Sequence, residues 1–262
     1  MINKISITQN NTYKAQSFKG SEPESNLSKK QKAVILASSA LGTVPVLATL
    51  AYRKGFSLNP ARILKTPIKD WALFKYAPKS KAIEFEEPQI IATATGSVIG
   101  GFIGGSLVDD KSNLRAKKRE ILNQLLGNVL VPVSCVGLGS RAYSKYSYRL
   151  KNMMPQLKET NKLAKYINPA LKNIPNALGT VGFLAAGIYL GNRVSNLINE
   201  KLYHKKVDRD IRPSDFAPHV DDLCMSMSMM NRDSSFGSKL GRIIPLALLV
   251  PGYETGKAQE QD

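Results

Sequence analysis

Residues 89–108 read QIIATATGSVIGGFIGGSLV, twenty positions without Asp, Glu, Lys or Arg, flanked closely by Glu87 and Asp109. An α-helix rises about 1.5 Å per residue, so about 20 apolar residues cross a hydrocarbon core about 30 Å thick. Glycine recurs in this stretch at Gly96, Gly100 and Gly104, with Gly101 and Gly105 as an offset pair. Spacing of four lays small residues along one helix face, a ridge that lets a second backbone approach closely where lipid offers no hydrophobic drive.

Three further stretches share this character. Residues 33–52 (AVILASSALGTVPVLATLAY), 121–140 (ILNQLLGNVLVPVSCVGLGS) and 173–192 (NIPNALGTVGFLAAGIYLGN) are also uncharged over 20 positions, bounded by Lys32 and Arg53, Glu120 and Arg141, and Lys172 and Arg193. In a chain that is 22% charged, a window of that length escapes charge by chance about one time in a hundred. Four such windows predict an all-α, multi-pass membrane protein with four spans. The competing arrangement, four buried helices of a soluble bundle, requires charged residues on an outward face every three or four positions; these windows carry Ser, Thr, Gly and Asn there. Asn123, Gln124 and Asn128 thin the third window, whose alternative course enters the bilayer late or lies partly in the interface. A fifth apolar run, residues 243–253 (IIPLALLVPGY), is about half the necessary length and holds two prolines, so it reads as re-entrant or interfacial.

Whole-chain averages conceal this segregation. The 262 residues have a mean hydropathy of −0.19, with 37 Lys+Arg against 20 Asp+Glu and a formal net charge of +17. Two cysteines and two histidines exclude a disulfide framework and a structural zinc module. Residues 1–28, rich in Asn, Ser and Lys, read as a disordered polar leader and lack the form of a signal peptide. Ser28 and Gln31 stand at capping-box spacing where the first helix should begin.

The chain also aligns on itself. Residues 93–114 match residues 176–197 without a gap, pairing Gly96 with Gly179, Gly104 with Gly187 and the run Ser112, Asn113, Leu114 with Ser195, Asn196, Leu197. Val-Pro-Val occurs in the first and third windows, at Pro45 and Pro132. This predicts two tandem helical-hairpin repeats, residues 29–114 and 115–197, running in the same direction, followed by a polar C-terminal segment, residues 198–262.

Within the spans the residues with a role are structural. Gly96, Gly100, Gly104, Gly187 and Gly191 are expected to pack helices, within one chain or between copies. Pro45 and Pro132 each remove a helical hydrogen bond and are expected to kink their spans. No GxGxxG or GxxxxGK[ST] spacing occurs around Gly100, which excludes a nucleotide loop. The windows hold no ionisable side chain, which argues against proton-coupled transport and intramembrane hydrolysis. No catalytic, cofactor or metal site is expected. In the segment HVDDLCMSMSMM, the soft donors of Cys224, Met225, Met227, Met229 and Met230 suit Cu(I), and Asp221 and Asp222 beside His219 suit assisted hydrolysis. One His and one Cys make a thin set, and Met commonly fills gaps, so packing on the bundle is the favoured role.

Basic residues fill every connection, 20 on the side of the N-terminus and 16 opposite, a small bias that places the N-terminus in the cytoplasm. The densest group, Arg115, Lys117, Lys118 and Arg119, is expected to contact anionic lipid headgroups. Residues 61–76 and 148–167 interleave Lys and Arg with Ile, Leu, Met, Trp and Tyr, as helices lying in the headgroup layer do. The function expected is that of a non-enzymatic membrane scaffold or oligomeric assembly, whose glycine ridges also suit packing between copies in a homo-oligomer. The alternative is a small transporter or channel with its pathway between the duplicated hairpins; a further alternative is a soluble basic helical protein binding nucleic acid, for which no recognisable module is present.

Overall fold

The computed structural model describes residues 26–71, 86–158, 163–204, 211, 213–220 and 244–260. These residues form nine α-helices with short 3-10 turns and one π segment, and no strand occurs among them. Four helices are long and apolar enough to cross a membrane, spanning Lys29–Arg53, Glu87–Val108, Lys111–Tyr143 and Ile167–Lys201. They coincide with the four uncharged windows.

Helix α1 (Lys29–Arg53) starts at the expected capping box. Ser28 Oγ accepts from the Gln31 amide at 3.3 Å, and Gln31 Oε1 accepts from the Ser28 amide at 2.8 Å. A short α2 (Pro60–Lys65) follows, opened by an Asn59 cap and a proline in its first turn. Helix α3 (Glu87–Val108) is the glycine-rich window. Hydroxyls in these apolar helices bond to backbone carbonyls one turn back: Ser39 to Ile35, Thr43 to Ala40, Thr95 to Ile91 and Ser106 to Phe102. Ser and Thr therefore sit in such helices without needing water.

Helices α1 and α3 form an antiparallel hairpin. The Gln31 side chain donates to the Val108 carbonyl, Ile35 and Ser38 lie at Gly104, and Gly42 lies between Gly96 and Gly100. A Cβ at Gly100 would stand 3.0 Å from Gly42 Cα and nearer still to the Ser38 carbonyl.

The third long helix is one continuous helical run with three parts, α4 (Leu114–Leu122), a π segment (Asn123–Leu130) and α5 (Val131–Ser144). After α6 (Ser147–Met153) comes α7 (Ala164–Lys201), 38 residues long with Pro169 and Pro175 inside it. The third run and α7 are antiparallel as well: Asn123 meets Asn199, Gly127 meets Gly191, Pro132 meets Gly187 and Gly139 meets the Phe183 ring. The two hairpins differ in register. Gly104 lies on Ser38 and Ile35, whereas its sequence counterpart Gly187 lies on Pro132, the counterpart of Pro45, and on Cys135.

A third layer comes from the C-terminal segment. Helices α8 (Ile244–Ala247) and α9 (Val250–Lys257) run beside α3 in the same direction. Ile244 and Leu248 join Ile90, Ala94, Val129 and Val133 in one apolar cluster. Farther along, Ser97 Oγ donates to the Leu249 carbonyl at 3.2 Å. Gly252 faces Gly101, Gly256 faces Gly105, and the Glu260 amide donates to Asn113 Oδ1 at 3.0 Å. Val220, which follows the 3-10 turn Pro213–His219, also packs on the apolar cluster. The described part of the fifth run is helical and continues to residue 260, which lies beside Asn113 at the end where α7 finishes.

Glycine has opposite energetic signs at two positions of this fold. Gly182 has nothing within 4 Å of its added Cβ, whereas a Cβ at Gly101 would collide with the Gly252 carbonyl. Replacing a helical glycine by alanine favours the helix by about 1 kcal/mol, and forced overpacking costs about 1–3 kcal/mol. Gly182→Ala should therefore raise the thermal unfolding midpoint in detergent, and Gly101→Ala should lower it, as followed by circular dichroism.

Candidate functional site

The third run carries a buried polar seam. In a π segment the backbone bonds i to i+5, which widens the helix and re-aims its side chains. Asn123, Gln124, Gly127 and Asn128 all turn inward and are buried. Pro132 has no N–H, so the Asn128 carbonyl lacks the donor an α-helix would give it. His219 Nε2 takes that place at 2.8 Å. Because a carbonyl only accepts, this nitrogen carries the hydrogen.

From Asn128 the seam runs in two directions. Its Nδ2 donates to Asp215 Oδ1 at 2.8 Å and to Gln124 Oε1 at 3.0 Å. Gln124 Nε2 donates to Glu120 Oε1 at 2.7 Å, and Asn123 Nδ2 bridges Glu120 Oε2 and Asn199 Oδ1, each at 3.3 Å. Asp215 and His219 are 3% and 0% exposed. Asn123 Oδ1 and Ser195 Oγ are buried with no hydrogen-bond partner among the described residues.

Residue order alone does not reveal this arrangement. The uncharged windows hold no ionisable group, yet Asp215 and His219 are delivered into the bundle by the polar C-terminal segment. Both meet Asn128, 87 and 91 positions away, so no local pattern could announce them. The available signal was the trio Asn123, Gln124 and Asn128, polar groups in an apolar window that demand partners.

A second polar cluster closes the end where α3 passes into α4. Lys117 is fully buried, and its three donors go to Asp109 Oδ2 at 2.7 Å, the Gly256 carbonyl at 2.7 Å and the Ala258 carbonyl at 2.9 Å. Arg119 Nη1 pairs with Glu260 Oε2 at 3.4 Å. Gln259 bridges Asp109 Oδ1 and the Asn26 amide. Lys117 was expected at lipid headgroups; its ammonium is instead saturated by the chain itself, and Arg119 is largely committed to Glu260. Arg115 and Lys118 are exposed. Burial pushes the Asp109 carboxyl upward, but the hydrogen bond from Lys117, the Asp110 amide, the Lys117 charge and Gln259 together hold it below its ordinary value.

Gly96, Gly100 and Gly104 face α1, Gly187 faces α5 and Gly191 faces Gly127. Gly252 and Gly256, also four apart, were the small-residue pair that sequence reading passed over. Pro45 sits inside α1 on its exposed side, and Pro132 opens α5 directly after the π segment. Residues 221–243, including Asp221, Asp222, Cys224 and the methionine run, lie outside the described residues. Among the described residues no group of three or more His, Cys, Asp or Glu is placed to hold a metal ion.

The fold and these two clusters define a helical bundle of membrane-spanning proportions, closed at one end by an ion pair. Comparison with protein-family models, curated proteins and solved structures finds no match to this chain.

Removing one partner of a buried ion pair typically costs about 3–5 kcal/mol. Lys117→Met should destabilise strongly, and Asp109→Asn added to it should recover part of the loss in thermal unfolding. A carboxyl depressed in the folded state stabilises above its unfolded value and loses that contribution as the pH falls through the folded one. The native protein should therefore lose stability as the pH drops below the ordinary value of 3.8, and Asp109→Asn should lose less over the same titration.

Proposed function

We propose that this chain is a non-enzymatic, multi-pass integral membrane protein that acts as a membrane scaffold. The carrying observation is the division of its surfaces. Small residues face inward, while Leu41 on α1, Leu107 on α3 and Leu178 on α7, exposed by 69%, 77% and 66%, face out. Large aliphatic groups pointing outward from helices of spanning length are what lipid tails solvate. The same outward faces leave a nucleic-acid role unsupported. Both described ends of the chain lie at the α3–α4 end, and the charge bias assigns that end to the cytoplasm.

The ridge of Gly96, Gly100 and Gly104 is covered by α1, so any assembly of copies uses the outer faces of α1 or α7 instead. A duplicated ancestry for the two hairpins rests on the sequence match alone, given their different packing registers. A transporter or channel is the second reading, favoured by the buried carboxylate and imidazole of Asp215 and His219, since ionisable groups inside a bundle are costly and mark ion or proton pathways. Backbone contact among α1, α3 and α9 leaves no room in the first hairpin. Such a pathway would follow the polar seam of the second hairpin rather than the boundary between the two.

Scaffold and pathway are separable in proteoliposomes. Membranes washed with alkaline carbonate should retain the protein, and its release without detergent overturns the membrane assignment. With a pH-sensitive dye inside the vesicles, the scaffold reading expects no proton flux above that of empty vesicles. Flux abolished by Asp215→Asn would establish the second reading in its place.

A further inference from the structure

Two short helices at the end opposite the Lys117 cluster take no part in the glycine packing. Helix α2 buries none of its residues. Leu64 is 84% exposed and Ile68 beyond it 65% exposed, with Arg62 and Lys65 also exposed on this segment. The Trp71 indole donates to the Thr66 carbonyl at 3.0 Å, folding the chain back after α2. Helix α6 repeats the combination, with Tyr148 and Met153 more than three-quarters or close to three-quarters exposed beside Arg149. Lys145 lies 5.9 Å from the centre of the Tyr146 ring.

Helix α6 is fastened at that end of the bundle, and α2 follows the end of α1 there after a six-residue connection. Arg141 and Glu87 pair at 3.6 Å, joining the end of α5 to the start of α3. The Asn168 side chain clips the Leu157 backbone, accepting from its amide at 2.8 Å and donating to its carbonyl at 3.0 Å, which fastens the chain after α6 to α7. Helix α6 begins three residues after α5, a reach of about 10 Å at full extension. If α5 ends at the edge of the hydrocarbon, α6 lies within the headgroup layer.

We propose that the end carrying α2 and α6 is a recognition surface for anionic phospholipid. This rests on the membrane reading above and adds which face of the protein selects lipid. Exposed aliphatic and aromatic groups alone would fit any bilayer interface; four exposed cations interleaved with them fit an anionic one. Lys and Arg near an anionic leaflet are drawn to it electrostatically, and burial of Leu or Met among acyl chains adds a lipid-independent attraction. At the opposite end the densest basic run is partly spent within the protein, Lys117 being enclosed and Arg119 paired with Glu260, which leaves Arg115 and Lys118 of that run exposed.

The test compares full-length protein reconstituted in mixed phosphatidylcholine and phosphatidylglycerol, then re-extracted in detergent and weighed with its retained lipid by native mass spectrometry. Replacing Arg62, Lys65, Lys145 and Arg149 together by Gln should lower phosphatidylglycerol enrichment about tenfold or more, as loss of several such contacts implies. Arg115→Gln with Lys118→Gln should leave enrichment within about twofold of native, since neither residue belongs to the proposed surface. Because the four residues are exposed, circular dichroism should show unchanged helicity. Native enrichment in the fourfold variant, or an equal loss in the Arg115 and Lys118 control, overturns the proposal. Failure of the membrane reading is a different result, in which the protein is not incorporated into the vesicles at all.

Discussion

Backbone meeting backbone on two faces of α3 is the contact on which the rest of the molecule depends. Gly96, Gly100 and Gly104 admit α1 on one face, and Gly101 and Gly105 admit α9 on another. A single methyl group at most of these positions would strike main-chain atoms of the neighbour, which cannot rotate away. Close approach multiplies dispersion contacts among atoms that are individually weak partners. It also fixes depth: once Gly42 sits at Gly96 and Gly256 at Gly105, the positions of Gln31, Asp109 and Lys117 along the bundle are settled. The ion-pair cluster follows from that alignment.

The second hairpin solves the same packing problem with a less regular helix. Gly127, Gly187 and Gly191 allow close approach, but the π segment rotates amides into the interface. Pro132 then withholds a donor from Asn128. Each departure from α-geometry leaves a polar group that must be satisfied inside the protein. The 3-10 turn carrying Asp215 and His219 supplies those partners, so a local irregularity in one helix accounts for the position of a segment far away in sequence.

Much of this architecture was legible from residue order. Uncharged windows located all four long helices, Ser28 and Gln31 marked the start of α1, and glycine spacing identified the face of α3 that meets α1. These are local signals, governed by helix length, capping and side-chain size. The illegible features are those that depend on which segments meet. The sequence Arg115, Lys117, Lys118, Arg119 looks uniformly basic, yet the 3.6-residue period of α4 directs Lys117 inward and Arg115 and Lys118 outward. Asp215 and His219 lie in a polar stretch that resembles ordinary connecting chain. Gly252 and Gly256 had the right spacing, but the apolar run around them was too short to suggest a partner for α3. The alignment of Gly104 with Gly187 matched composition and not packing, since small residues serve different neighbours in the two hairpins.

Residues 244–260 are synthesised after every helix they rest against. Until they are in place, the four long helices have a vacant slot along Gly101 and Gly105, and the Lys117 ammonium lacks its two carbonyl acceptors. Such a product is not sealed: it carries a bare strip of main chain and a cation that keeps Asp109 but lacks two of its three acceptors.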